Sequence, residues 1–322
     1  MTLCIGELAS GPLPERRHMH RPDVEQVIST GATEARDRGP PAKPLGSVHR
    51  MPADRPAFTT IRASVDEAVG ERGDLTLDLP GRLNPLSSHT LGEIEQAARW
   101  FDTHDALKVV VVSGTGRAFS AGADLSSFGT AGPDEGRDPR DDADSGWRMA
   151  RAMDELRAVA IAKIRGWCVG GGLVLAGVCD LRVAAASARF SIPEVELGIP
   201  LAWGGIPRLV REIGPALTKE LVMTCREFGP EEARAAGFLN RVVADDELDD
   251  EVERLVADLL RMPKLALLAT KAHVNAVTES MVSTGRSWSD SDGLLAGLRD
   301  PAGRASAQRY LERVRGKRTR GH

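Results

Sequence analysis

Trp167-Cys168-Val169-Gly170-Gly171-Gly172-Leu173-Val174 is the stretch on which the fold turns. A short apolar strand runs into three glycines, and a helical stretch opens from them. Free N–H groups at a helix start, together with the positive end of its dipole, favour an anionic oxygen. A P-loop is excluded because no Gly-Lys-Ser/Thr follows the glycines.

Outward from this turn, residues 159–164 upstream and 181–184 downstream are apolar runs that read as further strands. Val109-Val110-Val111-Val112 is a continuous apolar run bounded by turn residues, which suits a strand buried on both faces. Strands alternating with helices predict an α/β architecture with parallel pairing. Nearer the start, residues 61–69 read as one strand and Gly70-Glu71-Arg72-Gly73 as a turn. The alternating Asp74-Leu75-Thr76-Leu77-Asp78-Leu79 is the returning, half-buried strand. Leu91, Ile94, Ala98 and Phe101 then recur at helical spacing after a Ser87/Ser88 cap.

The last third changes character. Pro230 fits the first position of a helix ending at Gly237, and Pro263 opens another that carries Leu267, Thr270, Val274 and Val277. From Glu247 onward the pattern is helical with no strand. Residues 129–145 are rich in Asp, Gly and Pro and read as a mobile loop. Residues 1–57 hold eight of the 19 prolines and three of the seven histidines, keep no period, and read as a flexible extension. The expected division is therefore 1–57 extension, 58–246 core and 247–322 helical C-terminal region.

Composition narrows the function classes. A net charge of −4 over 322 residues argues against a nucleic-acid partner, which needs a basic excess. No apolar run is long enough for a membrane helix, and residues 1–19 carry no apolar signal core. Cys4, Cys168, Cys179 and Cys225 form no CxxC pair and no metal-ligand spacing, so reduced thiols in a cytoplasmic protein with no metal are expected. Neither HExxH nor GxSxG occurs, which leaves zinc and Ser-triad hydrolysis without support.

Two other stretches carry chemistry. Arg117-Ala118-Phe119-Ser120-Ala121-Gly122-Ala123-Asp124-Leu125 follows the valine strand, and its small residues let backbone approach a ligand. Gly114 and Gly116 fit the first two glycines of a dinucleotide fingerprint, but Phe119 stands where the third belongs. Phe190-Ser191-Ile192-Pro193-Glu194-Val195-Glu196-Leu197-Gly198-Ile199-Pro200 places Glu194 after a short apolar strand and before a Gly/Pro-punctuated segment reaching Trp203-Gly204-Gly205.

In combined order and spacing these stretches resemble the enoyl-CoA hydratase/isomerase (crotonase) superfamily. The matching features are Leu79-Pro80-Gly81-Arg82-Leu83-Asn84, the Phe119–Asp124 stretch, the triple glycine leading to Cys179-Asp180, Pro193-Glu194, and a Pro263-to-Lys271 segment with one extra residue. The resemblance implies repeated ββα units with a helical C-terminal subdomain, assembled as a homotrimer or hexamer. It also implies an acyl-CoA thioester as substrate, with CoA part of that substrate and no separate cofactor. Residue for residue, it assigns the Ala123 and Gly171 N–H groups to an oxyanion hole and Glu194 to acid–base catalysis. Read from the residues themselves, Arg82, Arg117 and Lys271 are candidates for the CoA phosphates or else solvated surface charges, with Ala121, Asp124 and Leu125 on the same side; Trp147, Trp167 and Trp203 flank the motifs and either line the acyl pocket with Val174 or pack the core.

The chain departs from the family at one telling place. Hydratases of this kind carry a second glutamate three residues after the middle glycine, where this sequence has Val174. A valine can neither orient a water nor exchange a proton. One carboxylate suffices for a 1,3-proton shift, so a Δ3,Δ2-enoyl-CoA isomerase is favoured over a hydratase. An apolar Val174 would also desolvate Glu194 and raise its pKa. Ala202 stands where dienoyl-CoA isomerases add an aspartate, disfavouring that variant. The readings to be tested against it are a hydratase with a non-standard second acid, for which Glu196 is the nearest candidate, and a non-catalytic acyl-CoA binder.

Overall fold

The structure, a computed structural model, describes residues 54–124 and 138–319. The expected flexible extension therefore lies outside the described residues except for its last four positions, and so does residue 125.

Strands β1 (Ile61–Val65) and β2 (Arg72–Leu77) form an antiparallel pair in which Ile61 faces Leu77 and Val65 faces Gly73. The connecting turn is longer than the sequence suggests, and both strand boundaries shift. Gly70 takes a left-handed φ of 71° and its N–H bonds to the Asp66 carbonyl at 3.0 Å, closing the turn before Arg72. Helix α1 (Ser88–Phe101) begins where Ser87 caps it, its side chain accepting from the Thr90 N–H.

Three ββα units follow. The first is β3 (Val109–Gly114), β4 (Ala118–Ser120) and α2 (Pro139–Glu155). The second is β5 (Val159–Ile164), β6 (Trp167–Val169) and α3 (Gly171–Gly177). The third is β7 (Leu181–Ala185), β8 (Arg189–Ser191) and α4 (Gly205–Thr224). The long strands join a six-stranded sheet in the order β1-β2-β3-β5-β7-β9, with β9 spanning Arg241–Val243. The short strands β4, β6 and β8 form a second, parallel sheet.

The four valines of β3 show why this strand is central. Val110 and Val112 face the main core with Leu91, Ile94 and Met149, while Val109 and Val111 face a second cluster with Leu248 and Val252 of α6 (Leu248–Leu260). Burying each such side chain is worth roughly 1.5–3 kcal/mol. A strand covered on both faces needs no polar alternation.

Part of the expected 129–145 loop is helix. Asp138 caps α2 by accepting from the Arg140 N–H at 2.9 Å, Pro139 takes the first turn, and Asp141 and Asp142 lie at the positive helix end. The Asp and Pro content that reads as loop is here helix-start chemistry. The remainder of that loop, residues 129–137, lies outside the described residues.

The C-terminal region is helical as expected. Helix α5 (Pro230–Ala235) ends near Gly237, whose φ is 95°, and α6, α7 (Lys264–Met281), α8 (Asp290–Arg299) and α9 (Pro301–Thr319) follow. Among the described residues no helix is long and apolar enough to cross a membrane, and no cluster of His, Cys, Asp and Glu could hold a metal ion.

Candidate active site

The site is built where the two short loops after β4 and β6 meet. After β4 the chain turns at Gly122, whose φ is 86°. The Leu86 N–H donates to the Gly122 carbonyl at 2.8 Å, and the Asp124 N–H donates to the Leu86 carbonyl at 3.1 Å. Both bonds lie on the side of the chain facing Leu86, so the N–H of Ala123, between them, points the other way. The Ser120 hydroxyl donates to the Asn84 carbonyl at 2.8 Å and accepts from the Gly122 N–H at 3.1 Å.

Asn84 stitches this region together. It is 1% exposed, its Oδ1 accepts from the Leu79 N–H, and its Nδ2 donates to the carbonyls of Thr115 and Ala118 at 2.9 Å. Its φ of 53° is one that asparagine tolerates better than most residues.

The triple-glycine turn packs closely against the first loop. A β-carbon on Gly122 would lie 2.6 Å from the Val169 carbonyl oxygen and 3.5 Å from the Gly171 nitrogen. One on Gly172 would lie 2.8 Å from the Ser120 β-carbon. Gly170 has a φ of 49° and donates its N–H to the Ser191 carbonyl at 2.9 Å. Only glycine permits this approach, and it brings the turn that carries Ala123 against the Gly171 backbone of a different repeat. Gly171 is the first residue of α3, so the helix offers its N–H no acceptor.

Glu194 lies in a turn after β8, not in a continuing strand. The Leu197 N–H bonds to the Pro193 carbonyl and the Ile199 N–H to the Glu194 carbonyl, both at 3.0 Å. The side chain is buried, and its Oε2 has no hydrogen-bond partner. Burial disfavours the charged carboxylate and pushes its pKa up to about 7. Native proteins rarely leave a buried carboxyl oxygen unpaired, which makes Glu194 the candidate catalytic carboxyl. Glu196, two residues on, is instead ion-paired with Arg313 of α9.

Val174 is 2% exposed on α3, and its Cγ2 would be 3.0 Å from a β-carbon on Gly205. Trp203 has an unusual φ of 62° and lays its indole against Gly146 and Gly171. The other two expected pocket residues stand differently. Trp147 lies on the flank of α2 with the Arg151 guanidinium 5.5 Å from its ring centroid, and Trp167 is 36% exposed on the small sheet.

On the expected CoA side, Arg82 and Asp124 form an ion pair at 2.8 Å, with Arg82 reaching solvent and Asp124 buried. Ala121 is tied by its N–H to the Leu83 carbonyl, and Arg117 is exposed. Leu125 lies outside the described residues. Lys271 points into the protein. Its ammonium bonds to Asp180 and to the Ala158 carbonyl, each at 2.7 Å, so its charge is committed within the protein.

Sequence reasoning gave no role to Asn84 or to Arg208. Arg208 is 6% exposed and donates to the carbonyls of Trp203 and Gly204 while pairing with Asp154. The signal for Arg208 was its place one helical turn into α4, directly after a Trp-Gly-Gly corner with carbonyls to satisfy.

Comparison with known proteins gives the family. The family model for enoyl-CoA hydratase/isomerase matches residues 72–317. A probable enoyl-CoA hydratase of Mycobacterium leprae is 34% identical over 213 residues, covering 66% of this chain and 81% of the relative. The crotonyl-CoA hydratase of Syntrophomonas wolfei is 32% identical over 228 residues, covering 70% and 86%. Among solved structures, an enoyl-CoA hydratase from Mycobacterium avium subsp. paratuberculosis shares the fold with a TM-score of 0.70 at 24% identity, covering 79% of this chain and all of that one. A probable enoyl-CoA hydratase from Mycobacterium thermoresistibile gives 0.64 at 28% identity, covering 74% and 96%. With its ββα repeats, its paired small-residue loops and a family match over most of its length, this chain belongs to the enoyl-CoA hydratase/isomerase family.

Proposed function

We propose that this member of the family acts on 3-enoyl-CoA thioesters and moves the double bond to C2 with a single carboxylate, Glu194. The observation that carries the reading is the buried, unpaired Oε2 of Glu194 beside the glycine turn, on a carboxyl whose pKa is raised to about 7. A carboxyl poised near neutrality can take a proton and return it without a large penalty in either direction.

In this mechanism the thioester oxygen accepts from the Ala123 and Gly171 N–H groups. Glu194 removes a proton from C2, and the electron pair spreads over C2–C4 and the thioester oxygen as a dienolate. The same carboxyl delivers the proton to C4, leaving the double bond at C2–C3 and the enzyme unchanged. Preorganised donors of this type are worth roughly 10²–10³ in rate apiece. Val174 and Trp203 supply apolar walls. Arg82 with Asp124, Arg117 and Ala121 lie on the side proposed for CoA, which is part of the substrate, so no separate cofactor is called for.

The second reading is hydration of 2-enoyl-CoA, favoured by the hydratase names of the relatives. It needs a group to activate water, and the position expected for it holds Val174. A homotrimer or hexamer is the proposed assembly. Helix α7 buries none of its residues yet exposes Leu265, Val274, Val277 and Met281, an apolar surface suited to a second copy. Free thiols at Cys168, Cys179 and Cys225 suit a reducing, cytoplasmic setting.

Glu194→Gln tests the catalytic proposal. Turnover of 3-hexenoyl-CoA is expected to fall by about 10²–10⁴-fold, with affinity for a saturated acyl-CoA retained. Unchanged turnover would remove Glu194 from the chemistry. No turnover in the unmodified protein, with binding intact, would make it a binder.

A further inference from the structure

Two side chains meet the glycine turn at successive residues. Glu194 stands against Gly170, and the Trp203 indole stands against Gly171. A β-carbon on Gly171 would fall 2.2 Å from Trp203 Cζ3 and 2.8 Å from Cη2, so the far edge of the ring touches that backbone. A β-carbon on Gly146 would fall 2.1–2.2 Å from Cε2, Cδ2 and Nε1 alike. Near-equal distances to three ring atoms mean that Gly146 lies under the ring face. Glycine inside a helix is unfavourable relative to alanine, and here it gives the indole a flat seat on α2.

The tryptophan is held there by its own backbone. Its φ of 62° and the 70° of Gly204 make two consecutive left-handed residues. Arg208 Nη1 donates to both of their carbonyls, at 3.2 and 3.0 Å, and the Gly204 N–H donates to Asp290 at 2.8 Å. Arg208 is itself buried and anchored to Asp154 of α2. A bulky residue in a sparsely populated conformation persists only where its surroundings fix it. Trp203 is also only partly buried.

We propose that Trp203 is the specificity-determining wall of the acyl site, admitting straight-chain thioesters and excluding those branched at the carbon next to the carbonyl. This rests on the reading that Gly171 holds the thioester oxygen. An oxygen accepting from the Gly171 N–H lies about 3 Å from that nitrogen, which brings the adjoining carbon alongside the indole edge. Glu194 confines the same carbon from the Gly170 side. A methyl branch there must displace one of the two, and Trp203 is pinned from both backbone and face. Arg208 is a positioning residue for this wall.

The test is calorimetric binding of butyryl-CoA, 2-methylbutyryl-CoA and free CoA to the full chain and to the variants Trp203→Ala and Trp203→Phe. These saturated thioesters bind without reacting. The unmodified protein is expected to prefer butyryl-CoA by about ten-fold or more, the scale set by one misfitting methyl group in an apolar pocket. Trp203→Ala should bring the ratio close to one, chiefly by tightening the branched ligand. Trp203→Phe keeps an aromatic face on Gly146 with a shorter edge and should give an intermediate ratio, so the proposal stays testable should the alanine variant fail to fold. Tight binding of both thioesters without preference, or an unchanged preference in Trp203→Phe and Trp203→Ala, would overturn the proposal alone. If neither thioester binds more tightly than free CoA, the acyl-thioester reading falls and this proposal with it.

Discussion

The Glu194 carboxyl occupies the place where a side chain on Gly170 would begin: a β-carbon there would lie 2.3 Å from Oε1. Gly170 also carries a φ of 49°, which L-residues avoid. Gly170→Ala is therefore expected to push Glu194 out of place and strain the turn. Loss of about 2–3 kcal/mol of stability should accompany a fall in turnover. A fully active, equally stable Gly170→Ala protein would show that the carboxyl does not need this position.

Burial raises the Glu194 pKa from its ordinary value of 4.5 to about 7, and this predicts a pH-dependent stability difference. Below about pH 4.5 the carboxyl is protonated in both folded and unfolded chains. As pH rises from there through about 7, the unfolded chain releases the proton first, and the folded state loses relative stability. Glu194→Gln carries no charge to desolvate. It should match the unmodified protein at pH 4 and exceed it above pH 8 by about 3 kcal/mol, taking 1.36 kcal/mol per pKa unit. Urea titrations at the two pH values check this, and identical differences at both would contradict it.

The same shift sets the direction of the activity profile. Turnover on a 3-enoyl-CoA should rise with pH through a value near 7, where Glu194 becomes a free base. Initial rates between pH 5 and 9 at saturating substrate read this directly. A profile flat across that range would separate the chemistry from Glu194.

Asn84 is a structural prediction with a functional consequence. Asn84→Ala would leave the Leu79 N–H and the carbonyls of Thr115 and Ala118 without their partner in the interior. The expected cost is about 2–4 kcal/mol, measured by denaturant unfolding, with a loosened Gly122–Ala123 turn lowering turnover. A change below about 0.5 kcal/mol would mean that water replaces the amide.

Lys271 separates a charge held inside the protein from one offered to CoA. Lys271→Met leaves the half-buried Asp180 without its cation and with the Ala160 N–H as its remaining partner, a loss of about 2 kcal/mol, while CoA affinity of the folded variant should hold. A ten-fold weaker CoA affinity with unchanged stability would place Lys271 at the CoA phosphates instead.

Legibility in the sequence followed the strength of local chemistry. The valine run of β3, the Ser87 cap and the glycine turn each have one physical reading, and the structure carries all three. Pro139 and its neighbouring aspartates read as loop, and packing of Gly146 and Met149 against the core makes them a helix start instead. The site was legible where it is made of backbone, because glycines at Gly122, Gly170 and Gly171 advertise close approach. It was less legible where it depends on partners distant in sequence. Nothing near Lys271 announces Asp180, and nothing near Gly146 announces the indole of Trp203 lying on it.

Whether one carboxylate moves a proton or helps add water is read most directly from the products of the unmodified protein. Incubated separately with 3-hexenoyl-CoA and 2-hexenoyl-CoA and followed by mass spectrometry and ultraviolet absorbance, it should convert the first into 2-hexenoyl-CoA with no change in mass. The second should gain no water at a comparable rate. Rapid formation of a 3-hydroxyacyl-CoA from 2-hexenoyl-CoA, with 3-hexenoyl-CoA left untouched, would contradict the single-carboxylate proton shift.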